Sequence, residues 1–307
     1  MTGLYYLLVI GLGALVPVQT AANGRLRGLV QSAWVTTLIS FSVSSLVLAV
    51  AGAAAGMPLL PTEPRVEAVP WWCWCGGLIA LLTITAYMYL FRELGMLRAT
   101  ILPIAGQLVF SLVIDHLGLF RAAQIVLTPL RALAALLLLV STALAIACPG
   151  QSKAAPGHKL RTHVLQALGV GSGCLLASMG AIYGALGRAL GSAAQASACS
   201  FIIATAAMLL CCVAAGLIGR VRRAFVGGQP WWMWLGGIVG AVSVFGTAWL
   251  LPQLGAGAFF MLLLMGQMLL SLCIEWRGWL GAERRSLKPA QGAGALLMLI
   301  SIAMIRL

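Results

Sequence analysis

The sequence predicts an all-α integral membrane protein: ten transmembrane helices arranged as two inverted five-helix repeats. Three observations predict it. Hydrophobic residues make up 62% of the chain and charged residues only 8%, where soluble domains carry roughly 25% charged residues. Such a chain cannot cover its surface in water, so lipid is its solvent. Residues 1–147 align with 161–307 at a constant offset of 160, without a gap. Each copy holds five apolar runs, and an odd number of crossings turns the second copy upside down relative to the first.

The duplication is explicit. Pro70-Trp71-Trp72-Cys73-Trp74-Cys75-Gly76-Gly77 returns as Pro230-Trp231-Trp232-Met233-Trp234-Leu235-Gly236-Gly237, and Leu94-Gly95 returns as Leu254-Gly255. Gly106-Gln107, Ser111-Leu112 and Ile114-Asp115 return as Gly266-Gln267, Ser271-Leu272 and Ile274-Glu275. Between 70–120 and 230–280, 16 of 51 positions are identical, more than a shared apolar composition explains.

A spanning helix needs about 20 mostly apolar residues to cross about 30 Å of hydrocarbon. In the first copy such runs fall at 3–22, 32–55, 71–91, 97–115 and 129–147. The offset places the second set at 163–182, 192–215, 231–251, 257–275 and 289–305, and each is apolar throughout. The runs are continuous, without the period-two alternation of barrel strands, so they are helices. The first run is retained rather than cleaved, because it lacks a basic flank and has a counterpart in mid-chain. A proline-rich aqueous loop covers Met57–Pro64. Leu94-Gly95 and Leu254-Gly255 supply glycine where a helix ends in a left-handed residue, and Pro129 and Pro289 sit in a first helical turn. The organisation is thus a first repeat at 1–147, a polar linker at 148–162 and a second, inverted repeat at 163–307.

Charge agrees with inversion. With the N-terminus on side X, the opposite side Y collects 14 basic residues, among them Arg25, Arg27, Arg220, Arg222, Arg223 and Arg277, and side X keeps 5: Arg65, Arg121, Arg131, Arg188 and Arg306. The positive-inside rule makes Y cytoplasmic and both termini non-cytoplasmic. The net charge of +13 lies in short gaps between apolar runs, which excludes a nucleic-acid partner. The eight cysteines lie mostly in apolar stretches without a Cys-x-x-Cys pair; they are expected as buried thiols, and neither metal nor cofactor is expected. No P-loop is present, and nothing points to an enzyme.

Inverted duplications recur in secondary transporters, whose halves exchange conformations around a mid-membrane site. Candidate substrate contacts follow. Gln107, Ser111 and Asp115 are spaced i, i+4, i+8, forming one polar stripe along a helix face, and Gln267, Ser271 and Glu275 repeat it. The alternative for these amides is hydrogen bonding between helices. Asp115 and Glu275 are the same position in the two copies, on opposite membrane faces, and are candidates for coupling to a proton or another ion. The alternative is a helix-end charge paired with Arg121 or Arg277. Trp74 and Trp234 lie deepest of the tryptophans opening the third and eighth runs; these form interfacial belts or, in the sharper reading, bind an organic cation. Gln19, Asn23 and Tyr183 line the same pocket or cap helix ends.

Three sets of residues carry a family resemblance: Gln19 with Ala22-Asn23-Gly24-Arg25-Leu26 ending the first run, Pro-Trp-Trp-x-Trp-x-Gly-Gly opening the third, and the Leu-Gly…Gly-Gln…Ser-Leu-x-Ile-Asp-His-x-Gly stretch at 94–118. They resemble the YdcZ-like branch of the drug/metabolite transporter superfamily, over nearly the whole chain. In the second copy Met179 and Tyr183 replace Gln19 and Asn23. The superfamily's small multidrug members carry a glutamate in their first helix, and here neither the first nor the sixth run has Asp or Glu. The resemblance implies a secondary transporter, with a substrate class that the family does not fix; the expected function is export of small organic solutes or cations, in a bacterial inner membrane. The expected partners are a small-molecule substrate and the bilayer, and the fused repeats make a monomer sufficient. The alternatives are a flippase for lipid-linked substrates and a non-transporting membrane assembly protein.

Overall fold

The computed structural model describes residues 2–56, 58, 61, 66, 67, 69–146 and 159–281, with 293, 294, 296, 297 and 300 of the C-terminal stretch. Among them every regular element is helical: α1 (Thr2–Val30), α2 (Ala33–Ala54), α3 (Gly76–Leu117), α4 (Pro129–Ile146), α5 (Lys159–Leu190), α6 (Ala193–Ala214), α7 (Leu235–Leu254) and α8 (Ala256–Arg277), with short 3₁₀ segments between them. Six helices are long and apolar enough to cross a bilayer, and shorter apolar helices cover Trp71–Ala86, Leu102–Leu117 and Pro129–Ser141. The expected span at 289–305, with Pro289, most of the 148–162 linker, and the loops carrying Glu63, Arg65 and Glu283 lie outside the described residues.

Local signals place most boundaries. Ser32 and Ser192 cap α2 and α6, their hydroxyls accepting the N–H groups of Val35 and Gln195 at 3.4 and 3.2 Å. Gly118 and Gly278 close α3 and α8 in the left-handed conformation, at φ 64° and 71°. Two boundaries differ from expectation. α1 and α5 continue to Val30 and Leu190, past the first and sixth apolar runs. The extra turns carry Leu26, Val30, Leu186 and Leu190, all fully buried, while Arg25 and Arg27 point outward. Burial on one face keeps the helix going where the charges suggested a stop.

The third and fourth runs form one helical element, Gly76–Leu117, of 42 residues, without the expected C-terminus at Leu94-Gly95. As a straight rod it would be about 60 Å long. Yet the Trp72 and Phe120 rings, beyond its two ends, lie 5.7 Å apart, and Leu90 and Leu102 both pack on Leu165. The element therefore doubles back between Leu90 and Leu102, giving two antiparallel arms. In the second copy the same reversal is a true break at Gly255 (φ 81°, ψ 159°), a conformation open essentially only to glycine.

The two copies pack into each other rather than side by side. α1 runs against α7, with Tyr5 beside Trp249, Leu12 at Gly246 and Asn23 at Gly236. One partner number falls as the other rises, so these helices are antiparallel. α1 and the first arm of α3 run the same way when successive spans alternate, and α7 is that arm's counterpart. Four glycines make the closest approaches: Gly13 meets the Leu263 carbonyl, Gly173 the Pro103 carbonyl, Gly266 the Ile10 carbonyl and Gly106 the Val170 carbonyl. A Cβ at any of them would overlap that backbone. Each contact has its exact counterpart 160 residues away. The symmetry axis itself shows where a residue meets its own twin: the Phe41 and Phe201 rings lie 5.5 Å apart and the Ser45 and Thr205 hydroxyls 3.2 Å apart, near the middles of α2 and α6.

Two measurements check this packing. Gly266→Val forces bulk into a backbone contact and costs about 1–3 kcal/mol, or more, in thermal unfolding of the detergent-solubilised protein; Gly11→Ala, with open space at its Cβ, leaves the midpoint unchanged or slightly raised. Ser45→Cys with Thr205→Cys, in a background lacking the eight native cysteines, forms a disulfide that keeps the halves together after cleavage of a protease site inserted at 148–158.

Candidate functional site

Where the copies interlock near the axis, several polar groups gather. Gly240 of α7 faces the Ser44 hydroxyl, the Gln19 amide and the Phe201 ring; a Cβ on it would stand 3.0, 3.2 and 3.8 Å from them. Ser44 donates to the Gly237 carbonyl at 2.6 Å. Ser40 donates to Asn23 Oδ1 at 2.7 Å, and that amide fills the space above Gly236. One turn beyond Gly240, the Ser243 hydroxyl is buried without a hydrogen-bond partner. A buried, unpartnered polar atom costs free energy unless something else satisfies it, and the Ser243 hydroxyl is such an atom.

The symmetry-related position is built differently. Tyr183 takes the place of Asn23 and lies on Gly76, its hydroxyl 3.4 Å from the Gly76 carbonyl. Met179, Ala204 and Ala80 replace Gln19, Ser44 and Gly240. The close approach to the paired glycines is kept, but Gln19 and Ser44 have apolar counterparts. Gln19 and Asn23 thus join the site on one side of the axis, whereas Tyr183 is a fully packed side chain on the other.

The glutamine stripes fall elsewhere. Gln107 is buried, at 7% exposure, on the arm of α3 whose Pro103 and Gly106 abut α5. Ser111 is fully buried and donates to its own Leu108 carbonyl at 2.7 Å. Gln267 and Ser271 are half-buried on α8. Between these helices runs an apolar seam of Ile104, Leu108, Leu112, Met261, Leu264 and Met268, and no hydrogen bond joins the stripes among the described residues. Trp74 packs beside Cys73 and Leu186, and Trp234 lies 5.4 Å from Phe225 within the cluster at the Y end. Trp71 and Trp231, 79% and 75% exposed, form the lipid-facing edge.

Asp115 has a structural partner that charge pairing did not suggest. Its carboxylate, 2% exposed, accepts the N–H groups of Ala256 and Gly257 at 2.6 and 2.8 Å, and so caps the N-terminus of α8. Negative charge there meets the positive end of the helix dipole. The glycines matter, since a Cβ at Gly255 or Gly257 would stand 3.1 or 3.0 Å from the carboxylate. The side chain of Glu275, its twin, lies outside the described residues. Arg121, the expected partner, instead offers its carbonyl to Arg188 at 2.9 Å. Arg277 stacks on Trp276 and Trp279, 5.4 and 5.1 Å from their ring centres.

Sequence reading missed Ser44, Ser243 and the Phe41–Phe201 pair. The available signal was a difference rather than a motif: at the offset of 160, Ser44 faces Ala204 and Gln19 faces Met179. Seven cysteines are free thiols, and no group of three or more potential metal ligands occurs among the described residues.

The Asp115 cap predicts a graded loss. Asp115→Ala removes two charge-assisted bonds and lowers stability by about 2–3 kcal/mol; Asp115→Asn, which keeps one acceptor, falls between. A coupling role in addition to the cap would show as flux lost in Asp115→Asn beyond what its lower stability explains, at equal membrane abundance.

A family model described as "Putative inner membrane exporter, YdcZ" matches this chain twice, at residues 4–144 and 164–304. A solved structure described as "Crystal structure of protein" superposes with a TM-score of 0.66 at 16% sequence identity, covering 99% of this chain and 97% of that one; at that identity the likeness concerns the fold alone. No curated protein matches the chain by sequence.

Proposed function

The chain belongs to the YdcZ inner membrane exporter family, and from that membership we propose that it is a ten-span secondary transporter. It exports small organic solutes or organic cations by alternating access between its inverted repeats. The observation that carries this reading is the polar cluster of Gln19, Ser44 and Ser243 beside the Phe41–Phe201 pair, between the copies. Inverted-repeat transporters place their substrate at such an interface. The described cluster offers amide and hydroxyl groups with aromatic faces and no carboxylate, which suits an amphipathic solute held by hydrogen bonds and ring contacts.

In this reading Asp115 clasps the X-side junction of α7 and α8. The twin of Gly255-Ala256-Gly257 is Gly95-Met96-Leu97, and the twin of Asp115 is Glu275. When the halves exchange conformations, Glu275 takes up the matching contact on side Y, and the two carboxylates alternate as latches. Titration of either couples the exchange to a proton. Gln107 and Gln267 line the path on either side of the apolar seam, with Ser111 and Ser271 one turn on and Trp74 and Trp234 at its ends. Side Y faces the cytoplasm and both termini face away from it.

The test is flux. Gln19→Leu and Ser44→Ala are expected to lower efflux of a transported dye or drug at least tenfold in cells lacking their major exporters, at normal membrane abundance. Met179→Leu, at the apolar twin position, leaves efflux within about twofold. Equal effects at the two positions would remove the central cluster from the mechanism. Intact efflux in both Gln107→Ala and Gln267→Ala would remove the stripes.

A further inference from the structure

The Y end of the first copy carries an open cavity of about 560 Å3, lined by Arg27, Gln31, Ser32, Trp34, Leu217 and Arg220 among others. It lies where the turn between α1 and α2 meets the 3₁₀ segment Ile218–Phe225 of the second copy. We propose that this cavity binds the phosphate group of an anionic phospholipid from the Y leaflet.

Three groups supply the recognition. Arg27 is exposed at the cavity and has no hydrogen-bond or ion-pair partner among the described residues. Arg220 uses one N–H on the Gln31 carbonyl, at 2.7 Å, and Arg223 reaches Gln31 Oε1 at 3.2 Å. The remaining N–H groups of Arg220 stay available to an anion. The third group is the first turn of α2: Ser32 occupies the cap, and the N–H groups of Ala33 and Trp34 have no partner within the helix. Two guanidinium groups converging on a helix N-terminus match a phosphate monoanion in charge and in hydrogen-bond demand.

Two observations point to lipid as the source. The segment presenting Arg220, Arg222 and Arg223 also exposes Ile218, Phe225 and Val226, with Phe225 at 70%. A basic segment with exposed apolar side chains rests in the headgroup region of a bilayer. Trp34 and Leu217 give the cavity an apolar wall for the glycerol end of the ligand. The twin position in the second copy also lacks every cation: Gly187, Ala194 and Leu60 stand at the places of Arg27, Trp34 and Arg220. Even the turn differs. Gln31 holds a left-handed φ of 50° where the twin is Gly191 at φ 68°, and this less favourable residue is the one that anchors Arg220 and Arg223. The same backbone turn carries the Arg27–Arg220 pair in one copy and has no cation at the matching positions of the other.

The test is lipid binding to the purified full-length protein in detergent, read by native mass spectrometry and by thermal melting. Phosphatidylglycerol is expected to bind and raise the melting midpoint, with phosphatidylcholine having little effect. Arg27→Gln is expected to weaken phosphatidylglycerol binding about fivefold and Arg27→Gln with Arg220→Gln further, since each substitution removes a charge-assisted hydrogen bond to the phosphate. Arg222→Gln, on the same face but outside the cavity, retains wild-type binding. Because Arg220 also holds the turn, the Arg27 variant alone decides the matter if the double variant fails to fold. Equal binding of the two phospholipids, or equal losses in Arg27→Gln and Arg222→Gln, overturns the proposal. Stabilisation by millimolar inorganic phosphate that matches phosphatidylglycerol and depends on Arg27 overturns the lipid source.

Discussion

The structure depends on four places where a glycine of one copy touches a backbone carbonyl of the other: Gly13 at Leu263, Gly173 at Pro103, Gly266 at Ile10 and Gly106 at Val170. In lipid, helices gain nothing by hiding apolar surface from one another, because the solvent is equally apolar. Association must come from close packing and from weak contacts such as Cα–H to carbonyl, worth perhaps 0.5–1 kcal/mol each. Both require small residues at the crossing. Once these crossings form, α1 lies along α7 and α8, and α5 along both arms of α3. The position of every polar group near the axis follows from that.

The interface is isologous: each surface of the first copy meets in the second the counterpart of what the second meets in the first. This gives the motifs that survive in both copies their meaning. Gly77 and Gly237 are retained where helix backbone comes close: a Cβ at Gly77 would stand 2.6 Å from the Ser200 carbonyl, and one at Gly237 would stand 2.7 Å from the Ser40 carbonyl, whereas Gly76 and Gly236 make room for the Tyr183 ring and the Asn23 amide. Gly106-Gln107 and Gly266-Gln267 are retained at least for their glycines. Shared residues thus report the packing that two halves need in order to interlock symmetrically.

The residues that differ between copies carry the asymmetry of the molecule. Gln19, Asn23 and Ser44 oppose Met179, Tyr183 and Ala204, and one side of the axis is polar while the other is filled. Gly255 breaks the chain cleanly beneath Asp115, whereas Gly76–Leu117 turns within a helical run. Arg27 and Arg220 make a cationic cavity where Gly187 and Leu60 make none. Symmetric packing and asymmetric side chains coexist because helix contacts constrain backbone approach and leave lining positions free to diverge.

Sequence alone determined the class of solvent, the duplication and its offset, and most helix boundaries. Each is written locally, in apolar run length, cap residues such as Ser32 and Ser192, and left-handed glycines such as Gly118. It also singled out Gln19 and Asn23, which stand at the polar cluster. Only the tertiary structure decided that Asp115 caps α8 rather than pairing with Arg121, that Ser44 and Ser243 join Gln19, and that the repeated glycines are the contact between copies. Those facts depend on partners more than 60 residues away in the chain. A helix in lipid records which of its faces is small or polar, but its composition does not record which other helix will meet that face.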